Sequence, residues 1–219
     1  TNVTVTATIP LADAQGPIAP VAGIAANPVR AEVYIAALTK DGVSVLTVFG
    51  TNPHAQLVQI PLSVIEPVGV AVNPAGTRVY VSGGFFDNIV SVVNVDTRAE
   101  IGFITLHPTT AVGPYGLIVH PTQPRLYVAN SNIETISVIN TTTNTIAATI
   151  TLTPCPDGCS PNKVALSPDG SRLYVSDDFA DVVWVINTTN NTIVKSVSLG
   201  LLSFPEGVAM HPDGSRLYV

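Results

Sequence analysis

Three carboxylates fall within five residues, Asp177, Asp178 and Asp181. A hard cation such as calcium takes several oxygen ligands, so this cluster is the chain's candidate metal site and calcium its candidate cofactor; the chemistry calls for no other cofactor. Asp, Asn and Gly in such a loop also form turns through side-chain-to-backbone hydrogen bonds, which is the competing reading. Cys155 and Cys159 are the only cysteines, four apart in Thr153-Pro-Cys-Pro-Asp-Gly-Cys-Ser-Pro161. Zinc needs about four ligands, and no second cysteine pair or nearby histidine supplies them. A reactive thiol needs a helix N-terminus or basic neighbours, and neither is visible. The pair is therefore expected to form a local disulfide, which fits an oxidising, extracellular setting. Phe85 and Phe86, in a Gly-Gly-Phe-Phe loop, and Tyr115 are candidate binding residues, with Phe179 and Phe204 in similar positions. Packing between neighbouring structural units is the alternative use of such rings.

The four histidines do not make a catalytic constellation. His120 and His211 hold a turn position occupied elsewhere by Asn73 and Ser167, and His54 and His107 lack a nucleophile or carboxylate at a telling spacing. No nucleophile elbow or glycine-rich phosphate loop is present. Nine Lys and Arg against fifteen Asp and Glu give a net charge of -6, without the basic cluster that a nucleic acid requires. No segment reaches the ~20 apolar residues needed to span a bilayer. The sequence opens without Met or a charged-then-apolar leader, as a mature product or a fragment would. Sequons at Asn2, Asn140, Asn187 and Asn190 suit an exterior surface.

The elements that must position these residues are announced by a repeat. Tyr34, Tyr80, Tyr127, Tyr174 and Tyr218 recur at spacings of 46, 47, 47 and 44 residues, each followed by Val or Ile. Seven residues before each tyrosine stands a turn, Asn27-Pro28, Asn73-Pro74, His120-Pro121, Ser167-Pro168 or His211-Pro212. A short apolar run opened by proline precedes the turn, as in Pro67–Val72 and Pro205–Met210, and two more apolar stretches follow the tyrosine. The stretches are β-branched and bounded by Asn, Asp and Thr, so they are strands. No stretch has the apolar spacing, cap and terminal glycine of a helix. The chain is thus expected to be all-β. Units of four short strands at this period predict a β-propeller of four-stranded antiparallel blades, because a lone blade cannot bury both of its faces.

Tyr80-Val-Ser-Gly83, Tyr127-Val-Ala-Asn130 and Tyr174-Val-Ser-Asp177, with turns such as Ser167-Pro-Asp-Gly170 before them, resemble the YVTN repeat of bacterial and archaeal surface-layer proteins, from about Pro20 to Val219. Blades are expected at about 20–62, 67–106, 114–152 and 161–200. An incomplete blade at 205–219 is shared with a strand in residues 1–11, since Thr6–Leu11 matches the fourth strand at Ala147–Leu152. Its third strand is missing, and propellers like those resembled commonly have about seven blades, so a piece of a longer propeller is expected. Arg78, Arg125, Arg172 and Arg216, two residues before four of the tyrosines, read as structural. The resemblance implies a non-catalytic propeller that meets a protein or glycan by adhesion at the cell surface, or elsewhere outside the cell or in the periplasm. The alternative is a lyase- or lactonase-type enzyme with its site at the central channel mouth, near Glu66, His120, Lys163, Glu206 and His211.

Overall fold

A computed structural model describes residues 21–219 and, ahead of them, a pairing of β1 (Ala12–Asp13) with β2 (Gly16–Pro17). Four antiparallel four-stranded meanders follow. The first comprises β3 (Val21–Ala26), β4 (Glu32–Leu38), β5 (Ser44–Thr51) and β6 (His54–Pro61). The second comprises β7 (Gly69–Val72), β8 (Arg78–Ser82), β9 (Ile89–Asn94) and β10 (Ala99–Thr105). The third holds β11 (Pro114–Val119), β12 (Arg125–Asn130), β13 (Thr135–Asn140) and β14 (Thr145–Thr151), and the fourth β15 (Pro161–Leu166), β16 (Arg172–Asp177), β17 (Val182–Asn187) and β18 (Thr192–Ser198). A two-stranded sheet, β19 (Ala209–Met210) with β20 (Leu217–Tyr218), ends the chain. The expected pairing of Thr6–Leu11 with this last sheet lies outside the described residues.

The turns follow directly from residue types. Asn73 accepts the N–H groups of Thr77 (2.8 Å) and Arg78 (2.9 Å) on its Oδ1, while Gly76 takes a left-handed backbone that a side chain would strain. At the other turn of each blade Asn94, Asn140 and Asn187 accept backbone N–H groups two residues on. Those turns close on left-handed Arg98, Asn144 and Asn191.

The first strands β3, β7, β11, β15 and β19 lie side by side in that order, so the sheets radiate from a common axis as propeller blades. Three buried apolar clusters fill the spaces between successive blades. Tyr34, Leu46 and Val48 meet Val79, Val81 and Val93; Tyr80, Val90 and Val92 meet Leu117, Leu126 and Val128; Tyr127, Ile136 and Val138 meet Leu173, Val175 and Trp184. Each such side chain stabilises the fold by about 1.5–3 kcal/mol on full burial. The repeat tyrosine points at the next blade, and its burial follows that neighbour. Tyr34, Tyr80 and Tyr127 are at most 1% exposed, whereas Tyr218 is 52% exposed. Polar ties reinforce the packing. Arg125 donates to the Thr188 carbonyl of the next blade at 2.5 Å. In the first blade Glu32 stands where the arginine would be and instead receives Arg98 from the second blade.

His120 is a buried inter-blade residue. Its Nδ1 accepts the N–H groups of Thr122 (3.2 Å) and Gln123 (3.0 Å), and its ring lies against Gly170 of the next blade. A Cβ on Gly170 would lie 2.5 Å from that ring, and the backbone there has φ +74°. Gly170→Ala is therefore expected to cost roughly 1–3 kcal/mol in urea denaturation. Burial lowers the His120 pKa below its ordinary 6.5, so the unfolded chain takes up the proton first. The stability from neutral His120 is complete above its unfolded pKa and falls as pH drops through that value. The urea midpoint should fall more in the native protein than in His120→Asn between about pH 7.5 and about pH 5.5.

Candidate functional site

Strand direction alternates within a blade, so the connections between second and third strands, and those between blades, emerge at one end. The Asn-Pro-type turns lie at the other. The acidic and cysteine candidates and the phenylalanines sit on loops at the first end, whereas Tyr115 lies on β11.

Asp177, at the end of β16, is fully buried. Its Oδ1 accepts the N–H groups of Ser160 (2.8 Å) and Ala180 (3.0 Å), and its Oδ2 accepts the indole N–H of Trp184 (2.9 Å). This single carboxylate ties the loop entering its blade to the loop inside it. Asp181 has a left-handed backbone and accepts from the N–H groups of Leu202 (2.7 Å) and Phe204 (2.9 Å) and from the Ser203 hydroxyl (3.2 Å). Those bonds, the one from Phe204 foremost, hold its pKa below the ordinary carboxylate value. Asp178 accepts from the Asn162 amide at 3.3 Å. The three carboxylates thus serve three different sets of donors and do not gather as a calcium shell. Among the described residues no group of three or more His, Cys, Asp and Glu is placed to hold a metal ion.

The second and third blades place other polar side chains under their loops. In the second, Asp87 accepts the N–H groups of Ile65 (2.6 Å) and Asn88 (2.7 Å), and its carboxylate fills the space left open at Gly83. In the third, the Asn130 amide donates to Thr135 Oγ1 (3.0 Å) and Ser137 Oγ (2.8 Å). Asp177 was a candidate ligand on sequence grounds, while Asp87, buried to the same end, was not among the candidates. Its signal was an Asp seven residues after the repeat tyrosine in the one blade where Gly83 stands at the third.

Cys155 and Cys159 are joined by a disulfide, with Cα atoms 5.7 Å apart. The closed loop is anchored by Glu134, which accepts the Cys159 N–H at 3.3 Å. Beside it lies a cleft of about 270 Å³ lined by Pro154, Cys155, Gly158, Phe179, Trp184 and Leu201.

Phe85 and Phe86 are 53% and 69% exposed and meet edge to face at 5.3 Å. Asn132 of the next blade donates to the Phe85 carbonyl at 2.7 Å, which fixes their loop. Phe179, Leu201, Leu202 and Phe204 are exposed at the same end. Packing between blades does not account for these rings. Tyr115 is placed apart from them, half-buried on β11, with its carbonyl accepting from Ser82 Oγ at 2.5 Å. Its ring lies 5.9 Å from Lys163 Nζ at the central channel.

Of the groups considered for a channel-mouth enzyme, Lys163 and Glu206 come together, and the two histidines lie away from them. Lys163 lines the channel, where burial lowers its pKa and the Glu206 charge opposes that shift. His120 and His211 sit at the far ends of their strands, in the opposite turns, and a six-residue strand spans about 20 Å. His211 pairs there with Asp213 at 2.7 Å.

Asp177→Ala leaves the Trp184 indole and two backbone N–H groups without an acceptor, and should lose roughly 3 kcal/mol in urea denaturation, while Asp178→Ala leaves the midpoint unchanged. Reduction of the disulfide by dithiothreitol should lower stability by about 2 kcal/mol, the chain-entropy value for so short a loop.

No protein-family model matches the chain, and no curated protein sequence does. Among solved structures, a chain of the hydrazine synthase of Kuenenia stuttgartiensis superposes with a TM-score of 0.78 at 20% identity, over 99% of this chain. The chain spans 58% of that chain's length. At this identity the likeness speaks to architecture alone. Blades, radial order and structural match agree: the chain is a β-propeller of four-stranded antiparallel blades.

Proposed function

We propose that this protein is a non-catalytic extracellular propeller of the YVTN type, a rigid scaffold that presents its loop end to a protein or glycan partner at the cell surface. The observation that carries the reading is the set of solvent-exposed rings on one end, Phe85, Phe86, Phe179 and Phe204, on loops pinned from beneath by Asp87, Asp177 and Asp181. Exposed aromatics on pre-ordered loops bind at low entropic cost, because the loops do not have to be ordered on contact. The disulfide supports a setting outside the cytosol, where such bonds persist. His120 and His211 stand in the turns at the opposite end from Lys163 and Glu206, a separation that favours binding over turnover.

Full-length protein tested against an immobilised panel of polysaccharides and cell-surface glycoproteins should bind a subset. The double variant Phe85→Ala/Phe86→Ala should weaken that binding by about 2 kcal/mol, roughly thirtyfold, with an unchanged thermal midpoint. Thr143→Ala, at the opposite end, should bind normally. Equal binding by the double variant, or turnover of lactone or polysaccharide substrates, would sink the proposal.

A further inference from the structure

Charge is segregated between the two ends of the propeller. All six arginines, Arg30, Arg78, Arg98, Arg125, Arg172 and Arg216, stand in the turns of one end or open the strand that follows such a turn. The connections at the other end, from β4 to β17, carry no arginine, and Lys40 is their one lysine. Asp41, Glu66, Glu134, Asp157 and Asp178 lie in those connections, beside the carboxylates that order the loops. The negative charge of the chain is thus concentrated at the end that carries the exposed rings.

Carboxylates and rings are neighbours there. A Cβ added to Gly84, next to Phe85, would lie 3.5 Å from the Cβ of Glu66, whose backbone is left-handed and whose side chain is exposed. A Cβ added to Gly158 would lie 3.4 Å from Cε1 of Phe179 and 3.5 Å from Oε1 of Glu134, so a ring and a carboxylate flank one glycine. Asp157 is exposed and lines the same cleft as Phe179. Phe85, Phe86 and Glu66 have complete blades on both sides, so their exposure belongs to the finished packing.

A ring beside a carboxylate attracts a cation twice, through the negative face of its π system and through the full charge. The same carboxylates repel a sulfated or uronic glycan, and a neutral glycan gains nothing from their charge. Guanidinium groups suit such a face best, because they stack on rings and pair with carboxylates.

We propose that the partner of the loop end is a protein with a basic and apolar surface, its Arg and Lys side chains meeting Glu66, Glu134 and Asp157 while its apolar residues cover Phe85, Phe86 and Phe179. This rests on the reading of the loop end as a binding face and selects protein over glycan by charge.

A synthetic Gly-Arg-Leu repeat peptide, titrated into the full-length protein in a calorimeter, should bind saturably, and its Gly-Glu-Leu counterpart should not. Glu66→Gln/Glu134→Gln/Asp157→Asn should lower the affinity at least about tenfold. Asp96→Asn/Asp169→Asn/Asp213→Asn removes as much charge from the opposite end, keeps an acceptor in each turn, and should leave the affinity within about twofold. Where the loop-end triple variant fails to fold, Glu66→Gln alone should weaken binding at least about threefold. Equal losses from the two triple variants would reduce the effect to net charge and overturn the proposal. So would equal binding of the glutamate peptide, or self-association that the loop-end variant abolishes, which would give the face to a second copy. If the polysaccharide panel finds a ligand that depends on Phe85 and Phe86 while the arginine peptide does not bind, the binding face stands and its basic protein partner falls.

Discussion

Each four-stranded sheet in this molecule is apolar on both faces, so no blade is stable until a neighbour covers it. That constraint explains why middle strands such as β5, β9, β13 and β17 are buried almost throughout while the outermost strands alternate or face solvent. It also explains the repeat tyrosine. Its ring crosses to the next blade, and its exposure rises from nearly nothing at Tyr34, Tyr80 and Tyr127 to about half at Tyr218. Radial packing then draws the first strands together, so tightly that Gly23, Gly69 and Gly116 are the only residue type that fits.

With the blades locked, the loop end becomes a platform. Its buried carboxylates point inward to backbone N–H groups, and its rings point outward to solvent, a division of labour that suits recognition by shape. Asp87 and Asp177 carry out the same task from different positions in the repeat, so in these two blades the buried acceptor is set by packing and not by its place in the motif. The likeness to a chain of hydrazine synthase is a likeness of this blade architecture, and at 20% identity nothing of that protein's chemistry travels with it.

The blade pattern was legible because it rests on local chemistry. β-branched runs, Asn-Pro-type turns and left-handed positions each declare themselves within a few residues. The disulfide was legible too, since two cysteines four apart in one loop are close in any fold. The site was legible only in part. Phe85 and Phe86 are exposed as a binding surface requires, but Tyr115, from the same reading, belongs to the axis. Asp177, Asp178 and Asp181 looked like one cluster because they are close in sequence, yet their carboxylates face different donors. Asp177 ends a strand and the chain turns through 178–181, with Asp181 left-handed, so the three side chains leave in different directions and each finds its own partner.

Sequence alone determined the all-β class, the blade period, the turn residues and the disulfide, because each depends on contacts between residues near in the chain. Only the tertiary structure decided which end carries the rings, that His120 is packed against Gly170, and that Lys163 faces the axis beside Tyr115. Those facts depend on contacts between residues about one blade period apart, and the distance between inner strands is set by how whole sheets pack.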